Sequence, residues 1–160
     1  MLGLTRKTDY ALVALARLSQ QGEADGSRRE RLSAREIAEQ YSLPTALLMN
    51  VLKDLQRAGI VASVQGPRGG YYLNRDVDDL SILQVIEATE GPLNLTACCG
   101  DTEAEPCMTC QILTQCPVSE PIQKLNDKVL AFLEGVKLNQ LMGEAGPADA
   151  NAIQQMALAG

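Results

Sequence analysis

The stretch from Leu32 to Leu73 constrains the fold more than any other part of this 160-residue chain. It opens with Ser33-Ala-Arg-Glu36, a capping box. The serine hydroxyl can accept from the amide three residues on, while the glutamate reaches back to the serine amide. This predicts a short helix over Ala34–Gln40, with Leu32 and Ile37 placed to pack as a hydrophobic staple. Tyr41-Ser-Leu-Pro44 then turns the chain. Pro44 suits the first position of a second helix, because its missing amide hydrogen would be unpaired there anyway. That helix runs to about Ala58 with Leu48, Val51, Leu52 and Leu55 as its buried stripe, and Gly59 stops it. Two β-prone runs, Ile60–Val64 and Tyr71–Leu73, flank the turn-forming Gln65-Gly-Pro-Arg-Gly-Gly70. Short helix, turn, longer helix and hairpin make a winged helix-turn-helix, so the expected fold class is mainly α with a small β wing.

A second helix of this kind fits the DNA major groove, and the wing loop can reach the adjoining backbone or minor groove. Thr45, Asn50 and Lys53 are the polar side chains expected to face bases. Arg57, Gln65 and the loop-tip Arg68 are expected on phosphates or the minor groove. The formal charge of −6 seems to oppose this, but it is unevenly spread. Up to Arg75 there are eleven basic and seven acidic residues; beyond it, three basic and thirteen acidic. A basic front half and an acidic back half suit a chain with one face on a polyanion. The bland alternative is a winged helix that serves protein contacts.

Around this unit the pattern is helical. Thr5–Gln21 reads as a first helix, and Glu23–Arg31 as an exposed loop. Ser81-Ile-Leu-Gln84 is a second capping box opening a helix through about Glu90, closed by Gly91-Pro92. From Glu120 to about Asn139, Ile122, Leu125, Val129, Phe132, Leu133 and Val136 recur at helical spacing, a long amphipathic element suited to joining two copies. Packing on its own subunit is the competing reading. The expected organisation is a DNA-binding unit over 1–80, a connecting helix over 81–97 and a cysteine-rich loop over 98–118. A dimerisation helix over 119–141 and a disordered tail over 142–160 complete it. No apolar run approaches the roughly 20 residues of a membrane span, and nothing resembles a secretory leader, so a cytoplasmic protein without membrane contact is expected.

All five cysteines fall between Cys98 and Cys116, and the chain has no histidine. The missing imidazole removes Ser–His and Cys–His catalytic pairs, and no general base accompanies the thiols, so an enzyme is not expected. Cys98, Cys99, Cys107, Cys110 and Cys116 lie among Gly, Asp, Thr, Glu and Pro, where burial as small hydrophobes is poorly served. Zinc at knuckle-spaced Cys107-Met-Thr-Cys110, an iron–sulfur cluster, and a metal-free thiol switch all suit such a loop.

Several strings together carry a resemblance: Leu4-Thr-Arg-Lys-Thr-Asp-Tyr-Ala11, Leu32-Ser-Ala-Arg-Glu-Ile-Ala38, Gln65-Gly-Pro-Arg-Gly-Gly-Tyr71, Glu87-Ala-Thr-Glu-Gly-Pro92 and the cysteines. From about Leu4 to Leu141 the chain resembles the IscR-, NsrR- and RirA-type bacterial winged-helix regulators that carry iron–sulfur clusters. Members controlling Suf-type cluster assembly are similar in pattern. The resemblance implies a homodimer on a pseudo-palindromic double-stranded operator. It implies three cysteine ligands, the last two separated by five residues, which Cys110 and Cys116 match. Cys99, or its neighbour Cys98, would be the first. The histidine that IscR-like members use three residues after the last cysteine is Ser119 here. NsrR-like members use an aspartate from the other subunit, matched by Asp9, so the implied fourth ligand is Asp9 or Cys107. The implied cofactor is a cluster of the two-iron or four-iron type. The alternative is the same fold without a cluster, governed by a partner enzyme, zinc or thiol redox.

Overall fold

A computed structural model describes residues 5–20, 23–24, 28–29, 31–67, 69–96, 112 and 115–142. Helix α1 spans Arg6–Ser19, started by Thr5, whose side chain accepts from the Lys7 amide. Two short strands, β1 (Glu23–Ala24) and β2 (Arg28–Arg29), pair antiparallel within the stretch expected to be a plain loop. Helix α2 (Ala34–Gln40) carries the complete Ser33–Glu36 capping box, with the Ser33 amide donating to Glu36 at 2.7 Å. These bonds from Ser33 hold the Glu36 carboxyl below its ordinary range. Leu32 and Ile37 are both buried, as the staple requires. Ser42 in the following turn takes a left-handed φ of 53°. Helix α3 is Thr45–Arg57, with Pro44 just outside it as the cap rather than as the first helical residue.

Strands β3 (Val61–Val64) and β4 (Gly70–Leu73) form the antiparallel wing, in the register Val61 to Leu73 and Val64 to Gly70. Two bonds fix its base to the end of α3: the Asn74 amide donates to the Ile60 carbonyl and its side chain to the Gly59 carbonyl, both at 3.0 Å. Leu32 adds a third edge, exchanging backbone bonds of 3.1 and 2.8 Å with Tyr71. Helix α4 (Ile82–Glu90) follows, with the predicted Ser81–Gln84 capping box complete and Gly91 at its end.

One core unites these pieces. The completely covered Leu15, Ile37, Leu48, Leu52, Leu55 and Leu80 come from α1, α2, α3 and the lead into α4. Each stabilises the fold by roughly 1.5–3 kcal/mol through apolar burial. A polar latch lies at one edge of this core. Thr8 on α1 is fully buried and donates to the Glu90 carboxylate at 3.0 Å, with Thr89 Oγ1 3.1 Å away. Thr5 donates to the same Glu90 oxygen, so the start of α1 is held to the end of α4.

The long C-terminal element departs from expectation. Helix α5 (Ser119–Gly135) ends early, and a separate short helix α6 covers Leu138–Met142. The cause is a bridge to α4: the Ile82 amide donates to Val136 (3.0 Å) and the Leu138 amide to Leu80 (2.8 Å). Val136 turns extended to make these bonds, and Leu138 is driven into the core at 1% exposure. The expected tail beyond Met142 lies outside the described residues.

The wing turn has no room for side chains at its second glycine pair. A Cβ on Gly69 would lie 2.2 Å from the Val64 carbonyl oxygen, a backbone atom that cannot swing away. Gly69→Ala is expected to destabilise the protein by about 1–3 kcal/mol, read as a lower midpoint in chemical denaturation.

Candidate functional site

Helix α3 divides cleanly into two faces. Leu48, Val51, Leu52 and Leu55 are buried, and their burial turns Thr45, Ala46, Met49, Asn50, Lys53, Gln56 and Arg57 outward. At 100° per residue those seven occupy one continuous arc of roughly 140°. Thr45, Asn50 and Lys53, expected to face bases, are therefore together and exposed. Arg57 shares their face, but its guanidinium is engaged by Asp54 at 3.0 Å on the same helix. A phosphate contact there would have to displace this exposed pair, which is worth little on its own.

Gln65 is exposed at the start of the wing turn. Arg68 lies outside the described residues. Because Asn74 ties the wing base to the last turn of α3, wing and helix move as one body rather than as two independent contacts.

The sequence reading missed two exposed side chains of this face. Met49 is 41% exposed between Thr45 and Lys53, an apolar group within an otherwise largely polar arc. A helical wheel of residues 45–57 would have found it. Arg35 on α2 is also exposed, bonded to Glu39 at 2.7 Å, and that bond and charge raise its pKa further. Pairing of α2 with α1 comes from Arg17, whose Nε donates to Gln40 at 2.7 Å.

The thiol site is only partly within view. Cys98, Cys99, Cys107 and Cys110 lie outside the described residues. Cys116 is half-buried with a free thiol, and its carbonyl accepts from the Ser119 amide (3.4 Å) and hydroxyl (3.1 Å) at the start of α5. Asp9 is exposed on α1, one residue past Thr8 of the latch. Among the described residues no three metal-ligating side chains come together. The donor chemistry nevertheless fits an iron–sulfur group, because five thiols are gathered within one short stretch and no imidazole competes. Among the described residues no helix is long and apolar enough to cross a membrane.

Helix α5 carries an open apolar seam. Val118, Leu125 and Phe132 are 58%, 50% and 70% exposed, while Ile122 and Val129 between them are half-buried. Alternate three- and four-residue spacing is the pattern that packs two helices together. The adjoining flank, about a quarter-turn round the helix with Leu133 half-buried and Asn126 buried, faces its own subunit.

A helix-turn-helix with a wing locked to its second helix defines a DNA-binding class of protein, and comparison with known sequences agrees. Residues 4–144 match the family model described as Rrf2, iron-dependent transcriptional regulator. The chain belongs to the Rrf2 family of DNA-binding transcriptional regulators, which are not enzymes. An rrf2-like HTH-type regulator of Rhodobacter capsulatus is 29% identical over 145 residues, covering 91% of this chain and 95% of that protein. The HTH-type transcriptional regulator IscR of Vibrio atlanticus is 30% identical, covering 87% of this chain and 74% of its own. Among solved structures, T. potens IscR superposes with a TM-score of 0.62 at 25% identity, covering 92% of this chain and 91% of that one. CymR, the global cysteine regulator of B. subtilis, gives 0.63 at 25%, covering 89% and 97%.

Replacing Arg57 by Ala should weaken binding to any duplex and lower the salt slope of the affinity by about one. Replacing Asn50 by Ala should instead cost about 1–3 kcal/mol on the cognate site alone. Titrations of cognate and scrambled duplexes at several salt concentrations separate the two outcomes.

Proposed function

We propose that this chain is a cytoplasmic, homodimeric regulator whose grip on a pseudo-palindromic operator depends on an iron–sulfur cluster held by cysteines of the 98–116 segment. The observation that carries this reading is the crowding of all five thiols into a segment that ends at the foot of the exposed-seam helix. Cys99, Cys110 and Cys116 are the ligands this reading favours, with Cys98 beside the first of them. Asp9 of the other subunit, or Cys107, supplies the fourth. The IscR relatives and the iron-dependent description of the family support it.

When bound, the cluster supplies an iron centre of the two-iron or four-iron type, sensitive to oxidants, nitric oxide and iron supply. The chain's own part is mechanical. Cysteines at the N-terminal end of α5 connect to its seam, and α5 is clamped to α4 through Val136 and Leu138. Helix α4 is latched to α1 through Glu90, so a change at the thiols reaches the unit that presents α3. Binding at the thiols alters operator affinity only insofar as the two states of this linkage hold it differently. Thr45, Asn50 and Lys53 read the major groove, while Arg57, Gln65 and Arg68 hold phosphates or the minor groove. Two copies joined along α5 bring two such faces to two half-sites. Target genes for cluster assembly, iron or stress follow from the same likeness.

The superposition on CymR favours a second reading: a regulator of the same fold, controlled by a partner enzyme, zinc or thiol oxidation. Anaerobic purification separates the two. The first reading expects a brown protein with acid-labile sulfide, loss of most iron in Cys116→Ser, and at least about a 5-fold difference in operator affinity between loaded and empty forms. A colourless protein with stoichiometric zinc, or equal affinities, overturns it.

The seam has its own test. Phe132→Glu places a charge at the most exposed point of the apolar row, and should weaken dimerisation by about 100-fold. Light scattering across a concentration series, with operator binding measured on the same samples, reads this directly.

A further inference from the structure

We infer that Asn126 is a positioning residue that presets the distance between the two ends of the cysteine segment; the inference rests on the thiol-site reading above. Asn126 is 3% exposed, the one buried residue of α5, and sits about a quarter-turn from the exposed seam. Its Oδ1 accepts the backbone amide of Leu95 at 2.9 Å, a bond between residues 31 apart. Leu95 precedes Cys98 by three residues and Cys99 by four. At the other end of the segment, the Cys116 carbonyl accepts from both the amide and the hydroxyl of Ser119. Entry and exit are thus fastened to one helix.

The spacing of the two fastenings matters. Asn126 follows Ser119 by seven residues, about 10 Å along the helix axis. Three to four residues of extended chain reach at most about 10–14 Å. Fastening both ends to one helix therefore limits how far Leu95 can lie from Cys116, whatever path the residues between them take. An amide side chain suits the task, since it meets a backbone donor without bringing a charge inside. Without it, closing the segment would fall wholly to metal binding, at a cost in chain entropy that grows with the loop. Supporting partners of this kind typically change metal affinity by about 10–100-fold.

The test compares wild type with Asn126→Leu, which removes the acceptor at similar size. Anaerobically reconstituted proteins are challenged with an iron chelator, and the metal-free proteins are titrated with Zn2+ alone. Far-ultraviolet circular dichroism and melting of the metal-free proteins verify that each is folded; should Asn126→Leu fail to fold, Asn126→Ala takes its place. Iron loss at least 10-fold faster and Zn2+ affinity at least 10-fold weaker in Asn126→Leu is the expected result. Equal Zn2+ affinity of folded wild type and Asn126→Leu overturns the inference. Absence of iron from reconstituted wild type would instead sink the cluster reading, while the Zn2+ comparison still decides the role of Asn126.

Discussion

Burial of one face of α3 governs the rest of the molecule. Leu48, Val51, Leu52 and Leu55 are fully covered by neighbours from α1, α2 and α4, and a helix held that way cannot rotate without exposing its stripe. Its outer arc is therefore as fixed as its inner one, which gives Thr45, Asn50 and Lys53 a common direction. The Gly59 and Ile60 carbonyls at the helix end then hold Asn74, and with it the wing. The exposed surface of α3 is a consequence of apolar packing, with a few hydrogen bonds setting its edges.

Helix α4 is the strut between that surface and the C-terminal half. Its beginning pairs with Val136 and Leu138, and its last turn carries Thr89 and Glu90 to Thr5 and Thr8. Thr8 is fully buried, and sliding the two helices apart would take the charged Glu90 acceptor from its hydroxyl. The strut thus resists sliding at both ends. The bonds at its two ends join the Val136–Leu138 bridge to the start of α1.

The C-terminal region divides its labour by face. The seam of Val118, Leu125 and Phe132 is open, while Leu133, Asn126 and Leu138 are committed to the subunit's own core. One side of this helix packs on its own subunit, as the competing reading expected, and another leaves an apolar row exposed. Residues 119–141 were legible as helical because their apolar spacing is close to 3.6. The interruption at Val136–Lys137 was not, since it is imposed by backbone bonds to Leu80 and Ile82, more than fifty residues earlier.

Local chemistry wrote much of this protein in advance. Both capping boxes, the Gly59 and Gly91 stops, the α3 stripe and the wing turn stand where residue pattern placed them, because caps, turns and periodic burial act over four or five residues. The exposed arc of α3 was half-read: Thr45, Asn50 and Lys53 were found by polarity, and Met49 was passed over because apolar residues on a helix are ordinarily assigned inward. Thr8, Thr89, Glu90 and Asn126 carried no local mark at all. A threonine or asparagine in a helix looks the same whether it meets solvent or a partner many residues away; contacts across the fold buried Thr8, Thr89 and Asn126 and paired the exposed Glu90 with Thr8. The same distance rule explains the split of the last helix, whose geometry belongs to the assembled core and to no short stretch of chain.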